Sequence, residues 1–287
     1  MPQVIQNYSF SFNNQVFGGI GSPYQILSVD GLEGLPGIRN QDDNRGYADG
    51  MFTGRDFLAG RYLTMTLNIT ASSNASAQAN FNTLQRALLP QTSGTSPLYF
   101  ILSQGEAEQV INARVRSLRS TVNPSYTYGL IIAQVEFFCP DPRYYDTNTQ
   151  TATLLFSTPS GRIYNRVYNL VYGGGSGTLT TTISNSGWTD TYPIITINGP
   201  ITNPEIGNAT QGAQLLFNVV LASNDIFIVD LYNKLITLNG QPARNTLISG
   251  GSEWFSAQPG NNSFYFTGVG TLAGTTQAVV TWQSAYI

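Results

Sequence analysis

The sequence predicts a mainly β protein, with a sheet domain and one flanking helix in its first half and a β-sandwich in its second half. Three observations support this fold class. Only 10% of the 287 residues are charged, so the polar surface comes from Asn, Thr, Ser, Gln and Gly, residues common in turns and strands. Apolar residues alternate with period two in many short segments, and only one segment has helical spacing.

Two segments of the first half alternate cleanly. GRYLTMTLNIT at 60–70 places four apolar side chains on one face and polar ones on the other, and YGLIIAQVEFF at 128–138 does the same. Period-two alternation is typical of a half-buried strand. The inward residues are Leu63, Met65, Leu67 and Ile69 in the first segment and Ile131, Ala133, Val135 and Phe137 in the second.

One segment predicts a helix. SSNASAQANFNTLQRALLP at 72–90 places Phe81, Leu84 and Leu88 at i, i+3 and i+7, which forms a stripe on one face of a helix. We expect Ser72 or Ser76 to cap its start and Pro90 to close it. The stripe is expected to pack on a sheet.

A long segment without periodicity, residues 31–54, precedes the first of these strands. Such a length is typical of a functional loop. It carries both signs of charge, so it does not resemble a simple acidic metal loop. We interpret it as a candidate inter-subunit loop, with the charged residues Arg39, Asp42, Asp43, Arg45 and Asp49.

The second half differs from the first in its composition and in the spacing of its predicted strands. All three tryptophans lie beyond Tyr145, and short strand signals run from VYNLVY at 167–172 to AVVTWQSAYI at 278–287 with turns between them. Regularly repeated short strands predict a β-sandwich. The predicted domains are residues 1–140 and 153–287, joined by a linker at 141–152.

Composition argues against several classes of function. The chain has no histidine and one cysteine, which removes His-dependent nucleophilic triads, His-ligated metals, disulfides and Cys-rich zinc sites. We therefore expect no enzyme, no cofactor and no metal site. The acidic pairs Asp42/Asp43, Glu106/Glu108 and Asp225/Asp230 are interpreted as turn or surface strand residues rather than glycosidase carboxylates.

Nucleic-acid and membrane binding are also not expected. The net charge is −3 with a single lysine, and the densest basic group, Arg114, Arg116 and Arg119, fits a solvated strand face better than a phosphate-binding patch. No stretch approaches 18 apolar residues, so no membrane-spanning helix is predicted.

An exposed tryptophan on a β-sandwich could stack on a sugar, so a carbohydrate-binding adhesion module that contacts host surface glycans remains an alternative. Trp254 is the weak candidate for such stacking, because it precedes the turn QPGNN. Core packing is the favoured interpretation of the same residue.

FFCPDPRYYD at 137–146 carries the lone cysteine and two prolines. Cys139 continues the inward phase of Phe137, so we expect a buried thiol. The prolines cannot continue a sheet ladder. The interpretation is an interdomain joint formed by Cys139, Pro140, Asp141, Pro142 and Arg143.

Several segments, taken in order, resemble the distal tail proteins of long-tailed, non-contractile bacteriophages. In the first half these are VDGLEGLPGIR, the ADG loop, GRYLTMTLNIT with its following helix, and DPRYY. In the second half they are DIFIVDLYNKLITLNG, SEWFSAQPGNNSFYFTG and VVTWQSAYI. No single motif is specific, but their order and spacing cover nearly the whole chain.

The resemblance implies a structural virion protein at the phage tail tip. It implies a tail-tube-like N-terminal β-barrel or sheet domain that builds a homo-hexameric ring, and a galectin-like C-terminal β-sandwich. The ring would join the major tail tube protein to the tail-tip hub protein of the baseplate, and DNA would pass through its lumen without specific binding. The tape measure protein and receptor-binding proteins are further implied partners.

Overall fold

The computed structural model describes residues 8–90, 94–103, 106–154, 156–157, 179–269 and 277–287. The chain divides into two compact units. The first unit comprises residues 1–147 together with the last two residues, Tyr286 and Ile287, and the second comprises residues 148–285. The predicted strand VYNLVY lies outside the described residues.

The first unit is mainly strand. The two longest alternating segments form strands whose inward side chains are buried and whose other side chains are half-buried or exposed. They pair antiparallel over their full length, so that Leu63 lies opposite Phe137. Its strands are β1 Ser9–Phe12, β2 Gln15–Gly18, β3 Tyr24–Asp30, β4 Ile38–Arg39, β5 Asp43–Asn44, β6 Met51–Phe52, β7 Phe57–Leu58, β8 Arg61–Thr70, β9 Ser96–Ile101, β10 Gln109–Thr121, β11 Leu130–Cys139 and β12 Tyr144–Asp146.

The main sheet runs in the order β2-β1-β9-β10-β11-β8-β3. Strand β10 pairs with β9 along its first half and with β11 along its second half. This sheet does not close, so the barrel form of the fold prediction is wrong and the sheet form is right. Among the described residues no ladder joins the edge strands β2 and β3. Instead the gap is bridged by side chains, with the Phe17 and Tyr24 rings 6.0 Å apart.

The predicted helix is present as α1, Asn74–Ala87. Its buried stripe contains Phe81, Leu84 and Leu88, as predicted. The cap is Ser73, not Ser72 or Ser76, because Ser73 has the extended backbone that lets its Oγ accept from the Ser76 N–H at 3.2 Å. A short 3₁₀ helix, Pro124–Tyr128, connects β10 to β11.

The second unit is a β-sandwich, as predicted. One sheet has the order β13-β24-β16-β20-β21-β22, and the other has β14-β23-β17-β18 with β15 and β19 attached. A short 3₁₀ helix occupies Arg244–Thr246. The strands are β13 Gln150–Leu154, β14 Phe156–Ser157, β15 Thr180–Asn185, β16 Ile194–Asn198, β17 Ile201–Asn208, β18 Ala213–Leu216, β19 Val220–Leu221, β20 Ile226–Asp230, β21 Leu235–Leu238, β22 Gln241–Pro242, β23 Gly260–Val269 and β24 Gln277–Trp282.

The expected linker at 141–152 contains structure. Residues 144–146 form β12, which pairs with β10, and β13 starts at Gln150. The chain passes from the first unit to the second between Thr147 and Asn148. A final strand, β25 Ala285–Tyr286, pairs with β12, and Tyr286 and Ile287 belong to the first unit.

Candidate functional site

The segment between β3 and β8, residues 31–60, is called the arm. Two short ladders build it, because β4 pairs with β7 and β5 pairs with β6. The chain therefore goes out and returns on itself. The predicted inter-subunit loop at 31–54 lies within this hairpin, so the segment has regular structure where only a loop was expected.

Several large apolar side chains of the arm are exposed. Leu35 is 72% exposed and both Ile38 and Phe52 are 60% exposed. A cluster of exposed apolar residues of this kind is typical of a surface that a partner covers. The other exposed large apolar residues of the arm are Tyr47, Met51 and Leu58.

The charged residues of the arm have different surroundings. The arginines stack on aromatic rings of the arm itself, with the Arg45 guanidinium 5.0 Å from the Phe52 ring centre and Arg39 5.5 Å from that of Phe57. Asp42 accepts from the Gly54 N–H at 2.9 Å and so tightens the hairpin. Asp43 accepts from the N–H of its neighbour Asn44, and Asp49 is exposed in the loop between β5 and β6.

The base of the arm is fixed by Arg61, the first residue of β8, which is only 2% exposed. Its Nη1 donates to the carbonyl oxygens of Gly31 at 2.8 Å, Leu32 at 2.5 Å and Gly34 at 3.0 Å. Its Nη2 is buried without a hydrogen-bond partner. Burial lowers the pKa of the Arg61 guanidinium below its ordinary value. The arginine therefore holds the start of the arm by charge-assisted hydrogen bonds to backbone.

Sequence reasoning missed Arg61. A signal for it exists, because Arg61 is in phase with the inward residues Leu63 and Met65 of the same strand. Burying an arginine on the inward side of a strand is costly unless its guanidinium is hydrogen-bonded. The sequence could therefore have indicated that Arg61 forms buried hydrogen bonds.

The predicted joint residues all lie in the first unit. Cys139 ends β11 and is fully buried, and burial raises the pKa of its thiol to about 12. Asp141 and Arg143 form an ion pair with 2.8 Å between Oδ1 and Nε. The Tyr145 hydroxyl donates to the other Asp141 oxygen at 2.6 Å. The carboxylate thus orders the turn that follows Pro140 and Pro142.

Trp254, the candidate for glycan stacking, is half-buried and packs against the core of the second unit. The Arg244 guanidinium lies 5.4 Å from its ring centre and covers part of the ring. A sugar would have to compete with this contact for the ring face. No observation in the described part of the chain favours glycan stacking at this residue.

Within the described ranges no three acidic or cysteine residues come together as a metal site. The described helix is too short and too polar to cross a membrane.

Comparisons with known proteins agree with this architecture. Residues 186–286 match the family described as siphovirus-type tail component, C-terminal domain. No curated protein sequence gives a significant match.

Among solved structures, the Dit protein of SPP1, described as a paradigm of the hub adsorption apparatus in phages infecting Gram-positive bacteria, has a similar fold. It aligns with a TM-score of 0.67 and 14% identity over 98% of this chain and 100% of the other. Chains from the baseplate of phage P2 in its activated conformation, with calcium and with strontium, align with TM-scores of 0.46 and 0.45, at 8% and 9% identity, over 97% of this chain and 98% of each of theirs.

The resemblance to distal tail proteins is confirmed, and residues 186–286 are identified as a siphovirus-type tail component, C-terminal domain.

Proposed function

We propose that this tail component forms a closed homo-hexameric ring at the tail tip, where it joins the tail tube to the baseplate hub and leaves a lumen for DNA. The observation that carries the proposal is the family match over residues 186–286. The fold likeness to SPP1 Dit across nearly the whole chain supports it. Six-fold stoichiometry comes from the distal tail proteins that the sequence resembles.

The arm supports self-assembly. A closed ring needs a heterologous interface, in which one patch of a subunit meets a different patch of its neighbour. The arm supplies one such patch, because it projects apolar side chains including Ile38 and Phe52 and is fixed at its base by Arg61. The candidate inter-subunit residues Arg39, Asp42, Asp43, Arg45 and Asp49 all lie on this patch.

The charge of the chain is compatible with a conduit for DNA. With a net charge of −3 and one lysine, the protein lacks the dense cationic surface that would hold the phosphate backbone. DNA would slide through such a ring rather than bind to it.

The segment from Cys139 to Arg143 has the proposed role of a stiff end to the ring-forming unit. The ion pair between Asp141 and Arg143 and the buried thiol of Cys139 support this role, because both restrict the chain just before it enters the second unit. The hub, tape measure and receptor-binding proteins are the further proposed partners.

The experiment that tests the proposal is native mass spectrometry of the purified full chain, with negative-stain images of the same sample. We expect a species of six chains and ring-shaped particles that bind the tail tube protein of the same phage. An interface variant with Ile38→Ser and Phe52→Ser should remain folded but should not form the ring. A chain that stays monomeric at every concentration and in the presence of the tube protein would contradict the proposal.

A further inference from the structure

A second surface of the first unit has properties that complement the arm. It is the outward side of strands β8, β10 and β11 and is called the arginine face. Residues directly opposite each other in antiparallel strands share a side of the sheet. The register places Arg114 opposite Phe138, Phe138 opposite Tyr62 and Arg119 opposite Gln134. The face includes Tyr62, Arg114, Arg116, Arg119, Gln134, Glu136 and Phe138.

A β-bulge helps to build the face. The register of β10 against β11 shifts between Val115 and Ser117, which leaves Arg116 as the extra residue. A bulge re-aims the side chain of that residue. The Arg116 guanidinium lies over the Phe138 ring at 4.8 Å, and Phe138 lies 4.9 Å from the Tyr62 ring. The result is a stack in which the half-buried Phe138 ring lies between the exposed side chains of Arg116 and Tyr62.

The cations of the face have no anionic partner among the residues that the structure describes. In the described ranges, none of Arg114, Arg116 and Arg119 makes an ion pair or a hydrogen bond to a carboxylate. Tyr62 is 56% exposed, so the aromatic part of the face is also uncovered. The single acid of the face, Glu136, accepts from the Ser117 hydroxyl at 3.2 Å. The face therefore has three positive charges against one negative charge.

The arm has the opposite charge. Residues 31–60 contain five acids and three arginines, a difference of −2, against a difference of +2 on the arginine face. The arginines of the arm stack on aromatic rings of the arm itself. Asp43 and Asp49 lie in the same part of the arm as the exposed apolar residues Tyr47 and Phe52. Gly60 at the base of the arm packs against the Phe138 ring, whereas Arg116, Arg119 and Gln134 of the arginine face are exposed.

We infer that the arginine face is the acceptor surface for the arm of a neighbouring copy of this chain. The inference rests on the proposed ring and names the second patch of its heterologous interface. The acidic tip of the arm would lie against Arg116 and Arg119, with its apolar residues on the Phe138 and Tyr62 rings. Repetition of one arm-to-face contact around an axis closes a ring.

Double-stranded DNA is the competing occupant of a cationic face. Three cations interrupted by a carboxylate give only a weak, salt-sensitive attraction to phosphates. DNA also offers no apolar surface for the exposed rings, whereas the arm does. The arm is therefore the better fit.

Two charge-reversal variants of the full chain test the inference. The face variant carries Arg116→Glu and Arg119→Glu, and the arm variant carries Asp43→Lys and Asp49→Lys. Each variant alone places like charges together in every interface. We therefore expect each variant to form rings only at a protein concentration roughly tenfold higher than wild type needs, or more. Asp42 is left unchanged because it holds the hairpin together.

An equimolar mixture of the two variants tests whether the arm and the arginine face contact each other directly. In the mixture a negative face meets a positive arm and a positive face meets a negative arm. Alternating rings are therefore expected to form at the wild-type concentration, with equal numbers of the two masses in native mass spectra. A charge-matched control, Arg86→Glu with Lys234→Glu, alters exposed cations that belong to neither surface and should assemble like wild type.

The outcomes separate the two proposals. If wild type forms rings but both variants assemble normally, or if the mixture does not recover assembly, the arm-to-face contact is wrong and the ring proposal stands. If the face variant forms rings normally and loses binding to duplex DNA, the face belongs to DNA. If wild type itself never forms a ring, the proposed function fails and the inference fails with it. Circular dichroism of each variant shows that it is folded.

Discussion

Arg61 donates its Nε–H to the carbonyl oxygen of Pro142 at 3.1 Å and so joins segments that lie 81 residues apart in the sequence. The same side chain holds Gly31, Leu32 and Gly34 at the start of the arm. One buried guanidinium therefore sets both the base of the arm and the turn that follows β11. This relationship makes the geometry of the arm depend on a residue outside it.

Replacing Arg61 with leucine should lower the free energy of unfolding of the first unit by roughly 2–4 kcal/mol, because four carbonyl oxygens lose a charged donor. Hydrogen exchange of amides in β8 and β11 measures this loss. The matched control is Arg86→Leu on the exposed last turn of α1, which should stay within about 0.5 kcal/mol of wild type. Equal losses of unfolding free energy in the two variants would show that the hydrogen bonds of Arg61 do not stabilise the first unit.

Period-two alternation predicts β8 and β11, and the stripe at i, i+3 and i+7 predicts α1, because each of these elements buries one face and the pattern of burial is local. The cap of α1 is Ser73 rather than Ser72 or Ser76, because three serines lie near the start of the helix and the sequence alone does not show which one has the extended backbone of a cap. The role of Arg61 depends on carbonyl oxygens distant in sequence, which no local pattern reveals. For the same reason the return of Tyr286 and Ile287 to the first unit was not predicted.

Two glycines at the base of the arm give a matched pair of substitutions. Gly31 and Gly34 have φ values of 84° and 86°, so alanine at either position adopts a left-handed backbone, at about 1–2 kcal/mol. At Gly34 a Cβ meets nothing within 4 Å, whereas at Gly31 it would lie 2.1 Å from the Tyr62 carbonyl oxygen. We therefore expect Gly31→Ala to destabilise the first unit distinctly more than Gly34→Ala in urea unfolding. The reverse order would contradict the described path of the arm.

The Cys139 thiol should not react with Ellman's reagent in the native protein, and one thiol per chain should react after unfolding. Burial raises its pKa from 9.0 to about 12. The raised pKa favours the native state fully below about pH 9, and stability is lost as pH rises, by about 1.4 kcal/mol per unit, because only the unfolded thiol ionises there. The Cys139→Ala variant should lack this part of the slope between pH 9 and 12. Identical slopes for both proteins would refute the assignment.

The last two residues should stabilise the first unit. The rings of Tyr144 and Tyr286 stack at 5.8 Å, and the Tyr144 hydroxyl donates to the Ile287 carbonyl oxygen at 3.3 Å. Deleting residues 286–287 removes both contacts, at roughly 1–3 kcal/mol. Tyr286→Phe keeps the stack and should cost less. Hydrogen exchange of β12 amides checks this order, and unchanged protection in the deletion would contradict it.

Trp254 should behave as a packing residue. Its replacement by alanine should lower the stability of the second unit by roughly 2–4 kcal/mol, because the ring packs against the core. A glycan array with the wild-type protein should show no binding that depends on this residue. Sugar binding that is present in wild type and lost in a folded Trp254→Phe variant would instead favour the carbohydrate-binding alternative.

We propose that copies of this chain meet in one repeated, heterologous contact that closes a ring. Native mass spectrometry of the full chain, with and without its tail tube protein, tests this most directly. We expect a closed species of six chains that is lost when Ile38 and Phe52 become serine. Only monomers, or open polymers of many lengths, would contradict it.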